Sequence, residues 1–157
     1  MAKVSKLQSS KITSLPGGKN PLLLVEEFLT KRGCVPKDCL QFRNNDVATW
    51  SVSLGGDNEL EITLEKISQY SQMTIYLGIN LMAVPLKYTE TLFASALMVA
   101  DNLIGLKISL VDYDLVLSVT HFAQNMTMED LEYFVETLVS QKTTVRDAIL
   151  DGMKVDF

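Results

Sequence analysis

Histidine and tryptophan each occur once in the 157 residues, and cysteine only twice. So few thiols and imidazoles exclude a zinc ribbon, which needs two closely spaced ligand pairs. Cys34 and Cys39 stand in a C-x4-C spacing, wider than the C-x-x-C of redox motifs, and are expected to be a structural pair of reduced thiols. His121 lies in VTHFAQN at the end of an extended run. A general base needs a nucleophile within hydrogen-bond reach, and Ser118 points to the other face because side chains alternate along a strand. Catalysis through His121 is not expected.

Other absences narrow the field further. SLPGGKN has no strand before it and no Ser or Thr after its lysine, so it is not the phosphate cradle of a P-loop. The acidic turn VDYD lacks the glycine and spaced oxygens of an EF-hand. Apolar runs are broken well short of the roughly 18 to 20 residues that cross a bilayer. The opening residues carry no apolar core with a small-residue cleavage site, which predicts a cytoplasmic protein without a membrane partner.

What is present is an ordinary globular composition, 47% apolar and 21% charged, long enough for one domain with a sizeable core. Charge is unevenly placed. No acidic residue precedes Asn20, whereas Lys3, Lys6, Lys11 and Lys19 make the leading segment basic. Residues 1–19 read as a flexible basic N-terminal segment, and residues 20–157 as a single domain. The body is then more acidic than the chain's formal −5, which disfavours nucleic acid, whose binding rests on Lys and Arg displacing counterions.

Periodicity predicts the elements. Asn20 caps a helix with Pro21 in its first turn and Gly33 at its end. Ala48, Trp50, Val52 and Leu54, then Leu60, Ile62 and Leu64, then Met73, Ile75, Leu77, Ile79 and Leu81, alternate with polar residues as in an antiparallel sheet with one wet face. VPKD between the cysteines is expected as a loop, and Gly78 as a possible bulge. A second helix spans about Thr89 to Ile104. Its apolar residues fill an arc of roughly 160°, more than one side of a sheet covers. Two explanations stay open, burial among neighbours or a subunit interface through Leu92, Ala96, Met98, Val99 and Leu103. Two further strands flank VDYD, Thr127 with Asp130 caps a last helix, and Thr144 with Asp147 is expected to restart a final turn. The order is α-βββ-α-ββ-α, an α+β fold. Tyr76, Met82, Val111, Val116 and Phe122 fall on the nominally outer phase and are expected to be covered by a helix as core.

The order of elements and several stretches, "VP" at Val84-Pro85, "ADNLIG", "LKISL", "VDYD", "LVLSV" and "MTMEDLEYFVETLV", resemble the YbjN family and the class I type III secretion chaperones that share its fold. The resemblance covers most of residues 20 to 150 and lies in apolar spacing and turn positions. It implies an antiparallel sheet packed with helices, frequent homodimerisation, no enzymatic activity and no cofactor. It also implies a chaperone-like or regulatory module that binds an extended segment of another protein. The competing expectation is a small-ligand sensor or enzyme using a pocket lined by Trp50, Tyr76 and His121.

Overall fold

Asn20 opens the first helix as its type predicts, its Oδ1 accepting the Leu22 N–H at 3.0 Å. In this computed structural model residues 20–67 and 72–154 are described, so the segment 1–19 lies outside them. Helix α1, Pro21–Lys31, closes through Gly33 at φ 77°, with Cys34 N–H returning to the Leu29 carbonyl at 3.0 Å. That is the left-handed stop that glycine favours. The expected loop at VPKD is instead a one-turn helix, α2, Pro36–Cys39. It leads into a short strand, β1, Leu40–Arg43. Both are too short for periodicity to announce them.

The remaining elements follow in order. Strands β2, Val47–Ser53, β3, Glu59–Ile67, and β4, Gln72–Ala83, precede helix α3, Thr89–Ala100; strands β5, Lys107–Val111, and β6, Asp114–Phe122, precede helix α4, Met128–Lys154. The six strands form one antiparallel sheet in the order β1-β2-β3-β4-β6-β5. Helix α4 runs unbroken through Thr144, so the expected restart there does not occur. Thr127 and Asp130 do form the anticipated box. Asp130 Oδ2 accepts the Thr127 N–H at 2.8 Å, and Asp130 N–H donates to Thr127 Oγ1 at 3.2 Å. The β4 register shift lies between Asn80 and Met82 rather than at Gly78. Gly78 has a different use. A Cβ there would collide with the Tyr76 phenol and its ring, which lie over it.

Register fixes which face is which. Trp50 pairs with Ile62 and Ile62 with Leu77, carrying one row of inward side chains across three strands. These join Val25 and Phe28 of α1, Leu92 of α3, and Leu131, Val135, Leu138 and Ile149 of α4 in one buried cluster. Each such side chain removed from water contributes about 1.5–3 kcal/mol. Among the described residues the helices therefore share one face of the sheet and leave the other open. This corrects the expectation for Tyr76, Val111, Val116 and Phe122. No described helix covers them, and Phe122 is half exposed. Met82 alone of that set packs against the core, since the register shift turns it inward.

Candidate functional site

Small residues decide where α3 sits. Ser95, buried in α3, donates through Oγ to the Ile149 carbonyl of α4 at 2.6 Å. Opposite it, a Cβ on Gly152 would collide with that same Oγ. The two helices close on each other along this seam. The other flank of α3 stands off from β5, and between them runs an apolar groove of about 320 Å³ lined chiefly by Phe93, Ala96, Leu97, Ala100, Ile108 and Leu110. The groove runs along β5, an edge strand of the sheet. Leu97, Leu110, Ile104 and Tyr113 leave 69%, 56%, 97% and 84% of their surface exposed. An edge strand beside exposed apolar side chains is the part of a sheet most open to pairing.

The interface residues expected from sequence divide. Leu92 is fully buried in the chain's own core, and Ala96 is nearly so while touching the groove. Val99 and Leu103 are half-buried against the core, whereas Met98 is exposed. Helix α3 ends at Ala100, so Leu103 and Ile104 belong to the turn after it. Leu97 and Leu110 are not among the interface residues expected from sequence. The signal was present in the apolar arc of α3, wider than one packing surface needs.

A second depression, about 210 Å³, lies on the open face of the sheet. Tyr76, Val111 and Val116 form its apolar part, and Glu59, Glu61, Asp112 and Asp114 stand around it. Asn80 Nδ2 donates to Asp114 Oδ2 at 2.8 Å. Burial raises the Tyr76 phenol above its ordinary value, the Glu61 charge adds to this, and a Ser118 hydrogen bond opposes it. A phenol held protonated donates hydrogen bonds and does not act as a base. Among the described residues no group of three or more His, Cys, Asp or Glu is arranged to hold a metal ion.

The pocket expected from Trp50, Tyr76 and His121 does not form. Trp50 belongs to the inward row and is 1% exposed, while Tyr76 pairs with Thr63, on the outward phase. The sheet separates them. His121 pairs with Ile75, at the far end of β6, where its ring rests 5.4 Å from that of Phe134 and its Nδ1 lies 3.0 Å from the Phe122 carbonyl. Ser118 pairs with Gly78 and faces away from it, as strand alternation requires.

No family model matches the chain, and no curated protein matches its sequence. Among solved structures, a chain of the HopA1–SchA chaperone–effector complex aligns with a TM-score of 0.50 at 16% identity, over 80% of this chain and 92% of that one. YbjN from E. coli aligns with a TM-score of 0.49 at 16% identity, over 86% and 93%. The first corresponds to the chaperone group the sequence resembles, and at such identity the likeness is one of fold. No helix among the described residues is long and apolar enough to cross a membrane.

Proposed function

We propose that this chain is a non-enzymatic, cytoplasmic protein-binding module of chaperone-like or regulatory type that pairs with a second copy of itself. The observation carrying the reading is the groove between α3 and β5. It is apolar, it borders an edge strand, and exposed Leu97 and Leu110 line it. A partner strand or helix laid there would remove those side chains from water. The fold shared with a chain of a chaperone–effector complex supports the same reading. The second edge strand, β1, with Phe42 half exposed, leaves room for an extended segment of another protein to add by backbone pairing.

Light scattering at several concentrations tests the pairing. The wild-type chain is expected at twice its 17.5 kDa mass. Leu97→Asp and Leu110→Asp should shift it to the monomer with an unchanged circular dichroism spectrum, because both side chains are exposed within one chain. A wild-type monomer at all concentrations would remove the self-pairing from this reading.

A further inference from the structure

Cys34 and Cys39 are free, half-buried, and packed against the rim of the core. Backbone hydrogen bonds hold each of them. Cys34 N–H closes the end of α1 on the Leu29 carbonyl at 3.0 Å, and Cys39 N–H returns to the Val35 carbonyl at 3.3 Å. The second bond stacks Cys39 one helical turn above Val35, the residue that follows Cys34. Cys34 adjoins Val35 in the chain, so the two cysteines flank a single turn of helix. The side chains are neighbours as well, since the Cys34 thiol is among the groups that raise the Cys39 thiol above its ordinary value. Two neighbouring half-buried thiols, each fixed by its own stretch of backbone, are an arrangement that a disulfide can bridge.

We propose that Cys34 and Cys39 are a redox-active pair that peroxide converts to a reversible intrachain disulfide, tying the end of α1 to the start of β1. Burial, the Cys34 thiol and the Asp38 carboxylate together raise the Cys39 thiol above its ordinary value. Cys39 is therefore the poorer first nucleophile, and the first step belongs to Cys34. The Cys34 thiolate attacks one peroxide oxygen, and the O–O bond breaks. Hydroxide leaves and takes up the proton that Cys34 released, leaving a sulfenic acid. The Cys39 sulfur then attacks the Cys34 sulfur, the S–O bond breaks, and water departs with the Cys39 proton. Two thiols lose two electrons and two protons while one peroxide becomes two waters. Leu40, the first residue of β1, follows Cys39 directly, so the bond anchors the beginning of an edge strand. The pair stands independently of the self-pairing proposed above, since it lies at the opposite edge of the sheet.

The test treats the reduced full-length chain with one equivalent of hydrogen peroxide, alkylates it, and reads intact mass and peptide maps. The expected product has lost two hydrogens, carries a Cys34–Cys39 disulfide within one chain, resists alkylation at both sulfurs together, and is restored by dithiothreitol. Cys39→Ser should stop at a sulfenic acid on Cys34 that dimedone traps. Cys34→Ser should react with peroxide about tenfold more slowly. Both thiols still open to alkylation, a disulfide between two chains, or independent oxidation of each sulfur to sulfinic acid would each overturn the proposal.

Discussion

Lys142 is 4% exposed, yet its ammonium reaches the tip of the β2–β3 hairpin, donating to the Asp57 carbonyl at 2.8 Å and lying 3.1 Å from the Asp57 carboxylate. Its stem packs within the α4 face while its charge emerges at the turn, joining the last helix to a hairpin 85 residues earlier. Lys142→Met keeps the stem and removes the donor. It should lower stability by about 1–3 kcal/mol, read as a lower urea midpoint at unchanged slope. Asp57→Asn spares the carbonyl and alters only an exposed ion pair, so its midpoint should move far less. Equal effects from both substitutions would mean that the carboxylate, not the carbonyl, is the partner that matters.

Acid should expose the same contact. The hydrogen bond from Lys142, and then its charge, hold Asp57 below the ordinary carboxylate range. Asp130 is likewise held low, first by the Thr127 backbone N–H and then by its hydroxyl. A carboxylate whose value falls on folding stabilises the folded chain above its unfolded value, about pH 4, and this is lost as pH drops through the folded value. Urea midpoints should therefore decline below about pH 4. The gap between the wild-type chain and Lys142→Met should narrow over the same range. A gap constant from pH 6 to pH 3 would show that the Asp57 carboxylate gains nothing from Lys142.

The α3–α4 seam gives a sharper test because both partners are small. Gly152→Ala places a methyl against Ser95 Oγ, and overpacking of this kind costs about 1–3 kcal/mol. Ser95→Gly alone loses the bond to Ile149 and introduces a helical glycine, for a cost of about 1–2 kcal/mol. Combined, the two changes should cost less than their sum, since the glycine removes the atoms the new methyl meets. Strict additivity in denaturation would separate Gly152 from Ser95.

Much of this architecture was legible because one period governs each element. The rows through Trp50, Ile62 and Leu77 alternate cleanly, and the caps at Asn20 and Thr127 have side chains whose chemistry serves no other purpose there. Element order and the antiparallel sheet followed from them. What escaped had no period to carry it. The one-turn α2 and four-residue β1 fall below the length at which a pattern exists. Alternation puts Tyr76 and Val116 on the outer phase, but their apolar character suggests a covering helix, and only the packing of the described helices shows that none lies there. The groove needed a distance, the stand-off between α3 and β5, that depends on Ser95 meeting Gly152 across 57 positions of chain (152 minus 95). Neither residue advertises that meeting.

Tyr113 joins local strain to the end of the edge strand proposed for pairing. The β5–β6 hairpin turns through Asp112 and Tyr113 at φ 46° and 72°. That is the left-handed pair which two-residue hairpins usually fill with Asn-Gly. A side chain there costs about 1–2 kcal/mol, yet the tyrosine is 84% exposed and packs little within its own chain. Its carbonyl accepts the Val84 N–H at 2.8 Å, a bond any residue preserves. Tyr113→Gly should therefore raise the unfolding midpoint, measured at concentrations where the chain is monomeric, by the equivalent of about 1 kcal/mol. In the same variant, loss of an exposed ring at the end of the edge strand β5 should weaken self-association. Asp112→Gly relieves the neighbouring strain and keeps the ring, so it should stabilise the monomer and leave association intact. Association unchanged in both variants would place Tyr113 outside the contact, and its strained conformation would then have no counterpart in pairing.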